Sequence, residues 1–255
     1  MNAARLTLFQ MRYVNKAFWR NPASAFFTFA FPLMFLVIFT ALLGEGEVHV
    51  GGRTIHQSTY YVAEMAAFAV ITACFNNVAI GMTFQRDSGV LKRIDGTPLP
   101  SGVYLTARVL HALVVSLLLV GITVAFGHFF YSADIPTGAT LWRFLVMLVV
   151  GACAFCALGF AITAVIPNAD AAAPIVNAAI LPLLFLSGVF IPIGDDAPDW
   201  ITWTGDVFPV RHFAQGMQAA FLGNPFSWSD VLVVALWGVA GLLVALRFFS
   251  WEPRR

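Results

Sequence analysis

Few side chains in this chain have the types and spacing needed for chemistry. Cys153 and Cys156 form a C-x-x-C one helical turn apart, the spacing of a redox pair or of half a metal site. Cys74 is the only other cysteine, and no nearby histidine completes a ligand set. The three therefore read as small thiols packed between helices. His111 and His128 fall in one apolar run, about 25 Å apart as a helix, too far to cooperate. There is no G-x-S-x-G, no H-E-x-x-H and no paired acid within an apolar run, so an intramembrane enzyme lacks its constellation. Asp195, Asp196 and Asp199 resemble the start of a calcium loop, but no further ligand pattern follows, and a solvated acidic turn fits better. No G-x-x-x-x-G-K-[ST] occurs, because the only lysines, Lys16 and Lys92, follow Asn and Leu. Without a phosphate-cradling loop the chain is not itself an ATPase.

What remains is polar chemistry inside apolar runs. Glu64 stands near one end of such a run, where a carboxylate is either functional or reaches the interface by snorkelling. Asn76 and Asn77 lie about 18 Å deeper at 1.5 Å per residue. Amides at that depth must face protein or water, as interhelical hydrogen bonds or as the lining of a path. Asn177 is similar, and Pro174 and Pro182 on either side of it should bend its helix and free backbone carbonyls. Arg211-His212 is an isolated cationic pair, suited to an anionic headgroup or substrate, or to anchoring at the interface.

The elements that position these residues are membrane helices. Of 255 residues, 60% are hydrophobic and 25 are Phe, with a mean hydropathy of +0.82. Soluble domains seldom exceed about half apolar residues. Six segments are long enough to span: 25–43, 62–84, 107–131, 143–166, 171–193 and 231–249. This predicts an all-α polytopic membrane protein forming one permease-sized domain, with no cleavable signal peptide. With the N-terminus inside, Arg5, Arg12, Lys16, Arg20, Arg86, Lys92, Arg93, Arg108, Arg247, Arg254 and Arg255 are cytoplasmic. Only Arg53, Arg143 and Arg211 are then outside. The positive-inside rule accordingly places both termini in the cytoplasm, in a plasma membrane of bacterial type. Residues 3–21 set Leu6, Phe9, Tyr13 and Phe18 among basic side chains, the pattern of an interfacial helix beside anionic lipid. The 194–230 segment is too long for a turn, and its apolar-faced "VRHFAQGMQAAFLG" is too short to cross, which predicts a re-entrant or interfacial helix.

The charged side chains concentrate in "FQRDSGVLKRIDGTPLP", residues 84–100. Asp87 or Ser88 is placed to cap a short helix on which Val90, Leu91 and Ile94 share one face, while Lys92, Arg93 and Asp95 point elsewhere. Gly96 ends it, and Pro98 and Pro100 keep it from resuming. Two to three turns are not stable alone, so this helix needs a surface to dock on.

Residues 85–110, "QRDSGVLKRIDGTPLPSGVYLTARVL", resemble the cytoplasmic loop of type-two ATP-binding cassette (ABC) export permeases of the daunorubicin-resistance type. Gly89, Leu91, Arg93, Thr97, Pro98 and Leu99 match its pattern. Asn21-Pro22 with Phe31-Pro32 resembles the family's lead into its first span. Ser187-Gly188, Pro192, Pro198-x-Trp200 and Pro209 resemble its outer segment. The resemblance implies an exporter half: a second permease chain, identical or sister, pairs with this one, and two cytoplasmic subunits supply ATP and magnesium. This chain carries no cofactor and no nucleic-acid partner is implied. Asp87, Val90, Leu91, Arg93 and Ile94 would belong to a coupling helix seated on the ATPase. Asn76, Asn77 and Asn177 would border the cargo path, since the family's second and fifth spans face the partner permease. Gln85 and Lys92 depart from the pattern, where Glu is common, leaving Asp87 to supply an ion pair. The cargo expected is hydrophobic or amphipathic, a drug or lipid, given Phe68, Phe75, Phe84, Phe185 and Phe190 on those spans. A self-sufficient secondary transporter or channel is the rival, but the spans hold almost no coupling charges or repeats.

Overall fold

In hydrocarbon every backbone N–H and C=O must be satisfied within the chain, so apolar runs of this length become helices. The computed structural model describes residues 2–43, 46–50, 53–193, 198–223 and 225–253. It is an all-α polytopic membrane protein in which six helices are long and apolar enough to cross a bilayer. An N-terminal helix α1 (Ala3–Trp19) precedes the first span, α2 (Pro22–Leu43). The second span is built from α3 (Gln57–Ile71), a π-helical turn (Thr72–Asn76) and α4 (Asn77–Asp87). After the short α5 (Val90–Asp95) come α6 (Ser101–Tyr131), α7 (Ala139–Ile162) and α8 (Ala169–Leu186), the third to fifth spans. The pair α9 (Asp199–Val207) and α10 (Pro209–Leu222) leads to the last span, α11 (Trp228–Phe248). One feature was not legible in the sequence: a small antiparallel hairpin, β1 (Glu47–Val50) with β2 (Arg53–His56), between the first two spans.

Several boundaries differ from those predicted. The second span runs 57–87, because Gln57–Tyr61 and Gln85–Asp87 are polar enough to lower hydropathy yet continue the helix. The third begins at Ser101, directly after Pro100, and the fourth ends at Ile162, ahead of Pro167. The fifth stops at Leu186 rather than at 193. Gly188 has φ +85°, a left-handed conformation that ends the helix and turns the chain inward. The Tyr60 hydroxyl donates to the Gly188 carbonyl at 2.8 Å and fixes this turn to the second span.

The second span is the centre of the molecule. In its most apolar stretch 72% of residues are buried, against 22% for the fifth and sixth spans. Side chains from Ser58 to Ile71 are all buried, whereas Phe84 at the other end of this span is exposed. Close approach of the other helices depends on missing side chains. A Cβ on Gly238 would lie 2.9 Å from Ala154, and one on Gly151 would strike the Phe213 ring at 2.1 Å.

The re-entrant element is a helical hairpin. Phe213, early in α10, packs edge-on against Phe155, whereas Phe221, at its other end, meets Phe144. Phe155 lies sixteen residues into α7, about 24 Å from its start. So α9 descends into the bundle, the chain turns at Phe208-Pro209, and α10 returns. Trp200 and Trp203 on α9 stay exposed. On α1, Thr7 and Val14 face the bundle, while Leu8, Phe9 and Tyr13 are exposed, as an interfacial helix requires.

Candidate coupling and transport site

The charged island is a fastening. Arg86, at the last turn of α4, is only 2% exposed. Its guanidinium donates to the carbonyls of Thr163 (3.0 Å), Ile166 (2.8 Å) and Pro167 (3.2 Å), the loop that joins α7 to α8. Its Nε donates to Asp87 Oδ1 at 3.3 Å, and Asp87 Oδ2 accepts the Ala169 N–H at 2.6 Å. With Asn168 Oδ1 accepting the Ala171 N–H at 2.9 Å and Asp170 in the first turn, the start of α8 is capped by acceptors from two places in the chain. Asp87 therefore does not cap α5; its carboxylate binds Arg86 and the Ala169 N–H instead. Gly89, at φ +70°, makes the turn that a side chain would strain, and α5 begins without a side-chain cap.

The short helix finds its docking surface in its own chain. Leu91 is fully buried and Ile94 packs against the core, with Val90 half-buried. The apolar face assigned to a partner is thus turned inward. A six-residue helix gains most by covering its apolar side. Lys92, Arg93 and Asp95 are left on the exposed side. Arg93 folds back on its own turn, Nε donating to the Gly89 carbonyl at 3.3 Å and Nη2 to that of Ser88 at 3.4 Å. Lys92 pairs with Glu252 at 3.1 Å, an exposed contact of little stabilising value.

Asn76 and Asn177 are brought together, Nδ2 of the first donating to Oδ1 of the second at 3.5 Å. Asn76 closes the π-turn, and its own Oδ1 is buried without a partner. Asn77 diverges from it: its Nδ2 reaches Thr28 Oγ1 on α2 at 3.5 Å. The three amides thus serve two different interfaces. The π-turn was missed because an inserted residue leaves no mark in the apolar pattern. A Cβ on Gly159 would stand 2.9 Å from the Phe75 carbonyl and 3.2 Å from that of Cys74, so α7 rests directly on the turn. The phenylalanines divide. Phe68 and Phe190 pack with Phe35 in one aromatic cluster, centroids 5.5–5.7 Å apart, and Phe75 is buried. Phe84 and Phe185 are more than half exposed.

At the opposite end of the bundle, Glu64 does not snorkel. It is 1% exposed, and Gln218 of α10 donates to its Oε1, while Oε2 has no partner. Gln218 was not singled out in the sequence, since nothing there places it opposite an acid 154 residues away. The Arg211-His212 pair is likewise internal. Arg211 donates to the Thr202 carbonyl at 3.1 Å and pairs with Asp206 at 3.3 Å. His212 donates through Nε2 to the Asp206 carbonyl at 2.9 Å and meets Asp230 through Nδ1 at 2.7 Å. His212 thereby satisfies the Asp206 carbonyl at the C-terminal end of α9, where carbonyls lack helical partners. Asp195 and Asp196 lie outside the described residues.

Residues 7–222 match the family described as ABC-2 type transporter. The chain belongs to that family. It is accordingly a multi-pass membrane transport subunit, one that associates with an ATP-binding subunit. A protein of Bacillus subtilis (strain 168) bearing the name "Putative transport permease YvfS" is 24% identical over 227 residues, covering 89% of each chain.

Proposed function

We propose that the chain is the permease of an ATP-driven exporter that moves a hydrophobic or amphipathic cargo, drug-like or lipid-like, out of the cytoplasm or its adjoining leaflet. Two copies of a cytoplasmic ATP-hydrolysing subunit, carrying ATP and magnesium, drive a pair of permease chains, with both termini and α5 on the cytoplasmic side. One observation carries this reading: α5 presents a charged face outward from a junction that binds three spans together. Through Arg86 and Asp87, α4 is tied to the α7–α8 loop and to the first turn of α8. A push on α5, with Leu91 held in the core, is then transmitted to the second and fifth spans together. Asn76 lies eleven residues above Asp87, about 16 Å along the same helix, where those two spans touch through Asn177. The exposed flank of α8, including Leu181 and Phe185, is the face offered to the second permease.

The test is co-purification with the ATP-binding subunit. Charge reversal of Lys92 and Arg93 to Glu should abolish retention of that subunit and stimulated ATP turnover while the gel-filtration profile stays unchanged. Leu91→Asp should instead lower the yield of folded protein. A Lys92→Glu, Arg93→Glu variant that keeps a fully active ATPase would show that α5 is not the docking element.

A further inference from the structure

A cleft of about 450 Å³ lies where α1, the start of α2, α4 and α6 converge. That volume is in the range of small-molecule sites. Its polar wall is unusual for a membrane protein in being cationic and in lacking any carboxylate. Arg108 donates through Nη2 to the Tyr104 hydroxyl at 3.0 Å, and that hydroxyl in turn bonds to Gln85. The Arg108 Nε is buried with no acceptor, and among the described residues no acid pairs with this guanidinium. His111, one turn further along α6, is more than nine-tenths buried on the cleft wall, and its Nδ1 also has no partner. The Phe18 ring holds the imidazole in place, centroids 5.4 Å apart. Asn21 and Ser24, at the N-terminus of α2, complete the wall, and there the helix dipole adds partial positive charge.

A buried guanidinium N–H without an acceptor, beside an unpartnered imidazole nitrogen and with no carboxylate on the wall, marks a place for an anion. Apart from Asn77, the remaining wall is apolar, with Ala73, Val78, Ala112 and Val115 further into the bundle than Phe84, which lies near the Asp87 end of α4. The cleft also sits at headgroup level: α1 lies on this end of the bundle with Leu8, Phe9 and Tyr13 turned outward, and Trp19 stands beside it. An occupant must therefore carry an anionic head and an apolar tail. We infer that this cleft binds the phosphate of a membrane glycerophospholipid from the leaflet on which α1 lies, with Arg108 and His111 as its ligands and α1 as its outer wall. The inference does not depend on ATP coupling, and its test involves no ATPase.

Native mass spectrometry of the full-length chain in dodecyl maltoside, incubated with phosphatidylglycerol or with a diacylglycerol of the same acyl chains, reads the site directly. Phosphatidylglycerol should be retained and diacylglycerol should not. Arg108→Gln should lower retention roughly tenfold, as expected for loss of a charge-assisted contact, while Arg143→Gln, exposed at the other end of the bundle, should leave it unchanged. Equal retention of the two lipids, or undiminished retention in an Arg108→Gln variant of normal circular dichroism, overturns the site. Displacement of the lipid by millimolar inorganic phosphate assigns the cleft to a soluble anion and overturns the lipid. Where Arg108→Gln does not fold, His111→Gln carries the same expectation, and the two-lipid comparison on the unaltered chain decides without any substitution.

Discussion

Asp87 and Ala169 are 82 residues apart in sequence and joined by a 2.6 Å hydrogen bond, the carboxylate of one capping the helix begun by the other. This contact, with Arg86 beside it, makes the end of the second span and the start of the fifth a single mechanical unit. The charges of residues 84–100 thus divide into an inner pair that fastens the bundle and an outer group that faces away from it.

Replacing Arg86 should be far more damaging than replacing Arg93. Arg86→Met leaves three carbonyls of the α7–α8 loop without donors and Asp87 without its cation. A loss on the order of 3–5 kcal/mol is expected for breaking such a buried ionic network. Asp87→Ala should cost about 1 kcal/mol through the lost helix cap. Arg93→Ala, exposed, should stay within about 0.5 kcal/mol. Thermal unfolding in detergent ranks the three, and an Arg86→Met variant as stable as Arg93→Ala would dissolve the fastening.

The Asn76–Asn177 contact separates a structural from a transport role. A membrane hydrogen bond of this kind is worth about 0.6 kcal/mol, so Asn76→Leu and Asn177→Leu should each lower stability by no more than about 1 kcal/mol. Transport of an amphipathic dye per folded molecule should nevertheless fall severalfold in Asn76→Leu, since its unpartnered carbonyl oxygen is left for cargo or water. Dye efflux at the normal rate from that variant would reduce the amide to helix glue.

Gly159 and Gly121 should respond oppositely to a methyl group. At Gly159 a Cβ meets the carbonyls of the π-turn at 2.9 and 3.2 Å, and backbone cannot step aside. Gly159→Ala should therefore destabilise by about 1–3 kcal/mol. Around Gly121 there is nothing within 4 Å, and Gly121→Ala should be neutral or stabilising by up to about 1 kcal/mol through helix propensity. Denaturation of the two variants side by side checks the contact.

The proposed orientation can be read with three single cysteines in a background lacking Cys74, Cys153 and Cys156. Ser88, Ser132 and Ser229 are all exposed on the protein surface. An impermeant maleimide added to intact cells should label positions 132 and 229 and spare 88. Labelling at 88, or protection of both others, would invert the topology.

The sequence by itself determined the class of fold, because a bilayer admits few solutions. Twenty apolar residues must be helical, and the six runs, the amphipathic 3–21 segment and the apolar-faced stretch around Phe213 could each be read locally. Only the tertiary structure decided what the polar side chains do. Glu64, Arg211 and His212 looked available for ligands or partners, and each is met by a carbonyl, amide or acid that packing brings to it, as Arg86 is by the α7–α8 loop. Leu91 looked like a docking residue for another protein and is buried in its own core. Hydropathy records whether a residue prefers water, not which neighbour meets it. For a buried polar group that neighbour sets the free energy, and here it comes from as far as 154 residues along the chain.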